Sequence, residues 1–442
     1  MSISKLNDLH YLHPMNARPP FLTYDATRMH VRAADLRALR APLTRAHTRI
    51  ESLRAGGEHG FFDLPFETDS VRIVKETAAK ARKRFRRMIV IGIGGSDLGA
   101  RTLWQSLAHS DKGMALGFLG NPDPELLAAY TSGNKLWWKE TAVCVVSKSG
   151  STLETMSMFF AVREALIRNV GLKQHVGHVY VITDPNHNAL HKLADDAGYS
   201  LIPHPLNVGG RFSVLSTVGL FPAACAGIDI DDLLEGARWM ENQRRKQKAA
   251  SLPAQFAAMH YIAYKKGKRM HVLMPYAASL SELAFWYRQL WAESLGKQKG
   301  KEHVGPTPIA AFGAADQHSQ IQLYNEGPND KVVTFLRVDH FTTHPKVPRL
   351  GKGMESYQYM SGMTFEQIMH AELEGTSKAL YEAERSNGTL NIPAITPQSI
   401  GAVLMFYELA TAYMAELMGV DAYNQPGVEA GKKIAKEILT AS

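Results

Sequence analysis

Met88-Ile89-Val90-Ile91-Gly92-Ile93-Gly94-Gly95-Ser96-Asp97-Leu98-Gly99 is an apolar run of strand length that ends in a glycine-rich turn and opens into a helical pattern. A strand buried on both faces needs near-continuous apolar residues rather than alternating ones. The same pattern recurs at Leu116–Leu119, Ala142–Val146, Val179–Thr183 and Ser200–Pro203. Strands of this kind separated by amphipathic helices predict a parallel sheet with helices on both faces, an α/β fold. A second set follows, with strands expected at Met270–Pro275, Ile309–Phe312, Lys331–Arg337 and Asn391–Ile395. Helices are expected at Leu280–Leu295, Thr364–Arg385 and Gln398–Met418. The chain thus reads as two α/β units joined through a helical region around Asp231–Tyr264, with helices in residues 1–60. Ligands of open sheets bind beyond the carboxyl ends of the strands, so functional motifs are expected just after strands.

Composition narrows the field. A chain of 442 residues is too long for one ordinary core. With 45% hydrophobic and 21% charged residues it reads as globular. Cys144 and Cys225 are its two cysteines, both in apolar runs. That count excludes a disulfide scaffold and a four-cysteine zinc site, and it suits a reducing, cytoplasmic setting. Met1–Asp8 lacks the basic-then-apolar pattern of a signal peptide, and no membrane span is expected. The net charge of +8 fits nucleic acid, an anionic surface or an anionic small substrate. The densest basic groups, Lys80–Arg87 and Arg244–Lys248, read as solvated helix faces or as lead-ins to strands. No nucleic-acid motif accompanies them, so the anionic small substrate is the reading carried forward.

Four loops could hold such a substrate. The turn after the first strand could offer backbone N–H groups to an anion at a helix N-terminus. A dinucleotide fingerprint fails there: Gly92-x-Gly94-x-x is followed by Asp97, and the next strand ends near Asn121 rather than at an acidic residue. The third strand ends in Ser147-Lys148-Ser149-Gly150-Ser151-Thr152-Leu153-Glu154-Thr155. One hydroxyl followed by a glutamate would be a helix cap. Ser147, Ser149, Ser151 and Thr152 together exceed that need and suit a phosphate monoester. Asn207-Val208-Gly209-Gly210-Arg211-Phe212-Ser213 adds paired glycines and an arginine, though alone such a turn is more often structural. The fourth, Gln425-Pro426-Gly427-Val428-Glu429-Ala430-Gly431-Lys432, sets an amide, a glycine turn and a lysine at fixed offsets.

With these loops, Glu293-Ser294-Leu295-Gly296-Lys297 and Gln317-His318 in order, the chain closely resembles the phosphoglucose isomerase family over nearly its whole length. The resemblance implies two three-layer sugar-isomerase (SIS) domains with parallel sheets, at about 61–215 and 266–420. N-terminal helices (1–60), a helical connection (216–265) and a C-terminal active-site segment with a helix (421–442) complete it. It implies interconversion of glucose 6-phosphate and fructose 6-phosphate, with no cofactor. By the same resemblance Glu293 is the base that moves a proton between C1 and C2, and Arg211 lies near the enediolate. His318 and Lys432 assist ring opening, and Gly95, Ser96 and Gln425 contact the sugar. Ser147, Lys148 (through its backbone), Ser149 and Thr152 hold the phosphate. It further implies a homodimer in which His318 crosses the interface. On the residues alone, Glu293 would pass for a surface glutamate and His318 for one of eighteen ordinary histidines.

The chemistry agrees with these assignments. Aldose–ketose isomerisation needs one base able to take and return a proton, and a carboxylate serves near neutral pH. A guanidinium stabilises the enediolate without losing its own proton. Histidine can act as acid or base on the sugar ring. No metal is expected: His187 and His191 have i,i+4 spacing but lack the glutamate of H-E-x-x-H. The basic segments Lys297–His303 and Thr342–Gly353 are left without a role, as a rim of the cleft and as solvated surface.

Overall fold

The computed structural model describes residues 20–108, 112–186 and 188–441. A short strand, β1 (Thr23–Asp25), comes first, followed by helices α1 (Arg40–Ala55) and α2 (Asp69–Arg84). The apolar run then forms β2 (Arg87–Ile91), whose glycine turn opens α3 (Leu98–Leu107). β3 (Ala115–Leu119), β4 (Thr141–Val146), α4 (Leu153–Val170), β5 (Val179–Thr183) and β6 (Ser200–Pro203) follow in the first unit, with shorter helices at Pro124–Thr131, Lys135–Lys139 and Ala189–Ala197 between them. Its sheet has the order β3-β2-β4-β5-β6 and is parallel throughout. Every residue of β4 and β5 is buried, which accounts for their unbroken apolar sequence.

α5 (Thr217–Cys225), α6 (Ile230–Gln247) and α7 (Leu252–Lys265) connect the two sheets. The second unit contains β7 (Met270–Pro275), α8 (Ser281–Leu295), the hairpin β8 (Lys297–Lys299) and β9 (Glu302–Val304), and β10 (Thr307–Ala310). β11 (Lys331–Val338), α9 (Phe365–Glu382), β12 (Asn387–Ile392), α10 (Pro397–Met418) and α11 (Glu429–Ala441) follow. The second sheet has the order β1-β12-β11-β7-β10 and is parallel except for β1, which pairs antiparallel with β12.

Two sequence expectations are corrected here. The N-terminal segment contributes a strand to the second sheet as well as helices. β10 and β12 start earlier than expected, because Pro308 and Gly388 weaken the strand pattern without ending the ladder. By length and composition α10 could cross a membrane, but 89% of its apolar window is buried inside the protein. It packs along α6 and α7 as a core helix.

Within the basic group Arg244–Lys248, Arg244 is not solvated, whereas Lys246 and Lys248 are exposed. Arg244 is fully buried and forks onto Glu241 in the same helix, at 2.6 and 2.7 Å, with Glu51 of α1 at 2.5 Å. Arg245 donates to the same Glu241 at 2.8 Å. The network ties α1 to α6, and a buried carboxylate is tolerable only with such partners.

Two histidines are buried beside the second sheet. His260 donates from Nδ1 to the Phe256 carbonyl at 3.1 Å, and Thr334 completes its Nε2 at 3.1 Å. Trp291 donates to His271 Nδ1 at 3.2 Å. Burial pulls the His260 imidazole down to about 4 from 6.5, and burial also holds His271 well below 6.5. A depressed folded pKa means stability is full above pH 6.5 and is lost as pH falls toward 4. His260 alone should therefore cost about 2 kcal/mol between pH 7.5 and 5. Thermal unfolding should show a lower Tm at pH 5, and His260→Gln should remove only the His260 share of that drop, leaving the share of His271 in place; an unchanged pH dependence in the variant would reject this source.

Candidate active site

In the first sheet β3 lies on one side of β2 and β4 on the other, so the strand order switches between β2 and β4. The loops after these two strands border the crevice where open sheets bind ligands. One carries Gly95 and Ser96, the other Ser147–Thr152. Arg211 follows β6 on a single 3-10 turn, Gly210–Phe212, and also belongs to this carboxyl edge. Gly95 packs directly on that turn: a Cβ there would lie 2.2 Å from the Gly210 carbonyl carbon. Only glycine lets the two loops meet.

Arg211 is the hub. Its side chain is 2% exposed, and burial presses its pKa downward against the opposing charges of Glu293 and Asp421. Nε donates to Ser294 Oγ at 2.8 Å. Nη1 donates to Gln425 Oε1 at 2.8 Å and approaches Glu293 Oε2 at 3.4 Å. Nη2 donates to the Ala422 carbonyl and, at 3.1 Å, to that of Asn424. Glu293 lies in the last turn of α8, and its other oxygen accepts from Gln289 Nε2 at 3.0 Å. Charge-assisted bonds are usually about 2.7–2.9 Å, so the longer Arg211 approach orients the Glu293 carboxylate without consuming it. Gln289, Ser294 and Lys297 have no role in the sequence reading. Gln289 has a signal there: it is four residues before Glu293 on the same helix face.

The hydroxyl loop is self-organised. Ser147 Oγ lies 3.2 Å from Thr152 Oγ1 and accepts from the Gly150 N–H at 3.2 Å, and Ser149 Oγ lies 3.4 Å from Thr152 Oγ1. Thr152 is the N-cap residue of α4, yet its side chain makes no capping bond. The capping alternative is therefore not realised, and first-turn N–H groups of α4 remain available to an anion. The Lys148 ammonium turns away, donating to the Leu206 and Val208 carbonyls at 2.8 and 2.9 Å. It ties this loop to the one carrying Arg211. Burial lowers its pKa.

His318 and Lys432 stand apart from this cluster. Glu293 lies at the carboxyl end of α8, which returns from β7, and Leu295-Gly296 touches Gly305 just before β10. His318 is exposed and follows the opposite end of β10; its neighbour Gln317 accepts from Tyr276 Oη at 2.6 Å, just past β7. The 15 residues of α8 separate the two ends by roughly 20 Å. Lys432 is exposed and pairs with Glu429 at 3.0 Å within α11, a helix with no buried residue. His187 lies outside the described residues. His191 is engaged with the Asp184 carbonyl at 3.2 Å and with Asp195 at 3.3 Å. Residues 342–353 are largely exposed, on an excursion between β11 and α9.

Two largely parallel sheets, a hydroxyl-lined helix N-terminus and a carboxylate held beside a guanidinium fit the phosphosugar isomerase class of mixed α/β enzymes. Residues 70–442 match the phosphoglucose isomerase family model. The glucose-6-phosphate isomerase of Carboxydothermus hydrogenoformans is 37% identical over 421 residues, covering 92% of this chain and 90% of the relative. A crystal structure of a hypothetical protein from Thermus thermophilus superposes with a TM-score of 0.89 at 34% identity, covering 95% of this chain and 99% of the other. That of a glucose-6-phosphate isomerase from Chlamydia trachomatis shares the fold, with a TM-score of 0.83 at 22% identity, covering 96% of this chain and 89% of the other. The chain belongs to the phosphoglucose isomerase family and is an isomerase.

Proposed function

We propose that the Arg211–Glu293–Gln425 cluster and the Ser147–Thr152 loop form the site at which this chain interconverts glucose 6-phosphate and fructose 6-phosphate. The observation that carries the reading is the base–guanidinium–amide cluster sharing one carboxyl edge with an uncapped hydroxyl loop. The phosphate binds Ser147, Ser149, Thr152 and the backbone at Lys148, and the sugar lies along Gly95, Ser96 and Gln425. Glu293 takes the proton from C2 and returns it at C1, or the reverse. Arg211 stabilises the negative charge of the enediolate, where a fixed donor acts most strongly because it need not reorganise.

Ring opening needs an acid and a base at the other end of the sugar, which are His318 and Lys432. Within one chain Glu293 and His318 sit at opposite ends of the second sheet, which supports delivery of His318 by a second copy in a homodimer. Closed two-fold dimers are the commonest assembly able to do this reciprocally. Two buried, free cysteines, Cys144 and Cys225, favour a cytoplasmic setting.

The phosphate assignment is tested with Ser147→Ala/Thr152→Ala. Loss of two hydrogen bonds to a charged group, at about 1.5–3 kcal/mol each, should raise KM for fructose 6-phosphate about a hundredfold or more. An unchanged KM would move the phosphate elsewhere.

A further inference from the structure

The basic segment after Glu293 has a defined task. Lys297 and Lys299 alternate on β8 and so share one face. Lys297 Nζ donates to the Glu293 carbonyl at 2.8 Å and to the Asn424 carbonyl. Lys299 Nζ donates to the Met418 carbonyl at 2.7 Å. Met418 is the last residue of α10, and Asn424 immediately precedes Gln425. Among the described residues neither lysine forms an ion pair with a carboxylate. Both cap the carboxyl ends of helices, α8 and α10, where orphan carbonyls and the helix dipole favour a cation. Burial lowers the pKa of Lys297, and the charge of Arg211 adds to that.

These bonds hold the linker 419–425 at both ends, and Arg211 holds its middle through Ala422. Beyond Gln425, α11 has no fully buried residue. We propose that Lys297 and Lys299 form a clamp that sets the position of Gln425 and the base from which α11 presents Lys432. Both are positioning residues, and the inference rests on the sugar-facing roles given above to Gln425 and Lys432. The phosphate loop is not part of the clamp, so its loss should appear in kcat rather than in KM.

The test compares Lys297→Met/Lys299→Met, Lys297→Arg/Lys299→Arg and Gln425→Ala in the full chain with fructose 6-phosphate. A small displacement of reacting groups can cost up to ~10²-fold, so the double Met variant should lose about ten- to a hundredfold in kcat while KM changes less than about threefold. The Arg variant should recover at least about half of the activity, since it restores donors to the same carbonyls. Limited proteolysis should cut the double Met variant faster than wild type within 419–425. If the double Met variant does not fold, Lys299→Met alone is compared with Lys299→Arg in the same way. A kcat within twofold of wild type, or a loss that Arg does not rescue, would overturn the clamp. If Gln425→Ala is fully active, the sugar-facing reading itself fails; if Gln425→Ala is impaired and the lysine variants are not, only the clamp fails.

Discussion

Glu293→Gln is expected to lower kcat for both directions of the isomerisation by about 10³-fold, within the range general bases contribute. The amide keeps the size of the side chain and its place between Gln289 and Arg211. What it loses is the capacity to accept and return a proton. KM for fructose 6-phosphate should change little, because the phosphate ligands lie on another loop, at the start of α4. A Tm matching that of wild type should accompany the loss, as the fold is intact. A kcat within threefold of wild type would remove Glu293 from the base role and leave it as a partner that orients Arg211.

The second large effect is complementation. Glu293→Gln and His318→Gln chains should each be nearly inactive alone. Unfolded together and refolded, they should regain about a quarter of wild-type activity: half of randomly paired dimers are mixed, and each mixed dimer has one intact site of two. The expectation comes from topology. α8 carries Glu293 back to the starting edge of the second sheet, while β10 carries His318 to its far edge. Activity that does not return on mixing, with both chains folded and dimeric by sedimentation, would mean that one chain supplies both groups.

Much of the fold is legible in the residues because burial on both faces writes an unambiguous signal. β4 and β5 are apolar at nearly every position, and the structure buries each one. β12, Asn387-Gly388-Thr389-Leu390-Asn391-Ile392, is harder to place from its residues because glycine and asparagine are poor strand formers. Its place comes from pairing with β11 and β1 instead. β1 is only three residues long and pairs with a strand more than 360 positions away, so no local pattern can announce it. Arg244 looks like part of a solvated basic run because the burial of its nearby partner Glu241 and the approach of the remote Glu51 leave no mark in the local sequence.

The site divides in the same way. The glycine and hydroxyl loops are visible because the anion binding proposed for them demands unusual local composition. Arg211, Glu293 and His318 are chemically ordinary one by one, and they take on roles only through the family resemblance. Gln289 and the two lysines of β8 leave weaker marks. Gln289 acts through a neighbour on its own helix, and the lysines act on main-chain carbonyls that leave no trace in the sequence.

The most direct test of Glu293 as the proton-transfer base is isomerisation followed by NMR in D2O. Wild-type protein should place deuterium at C1 of fructose 6-phosphate and at C2 of glucose 6-phosphate, as the protonated carboxyl exchanges with solvent before the proton is returned. Glu293→Gln should lose incorporation together with turnover. Incorporation at the wild-type rate in that variant would contradict the account.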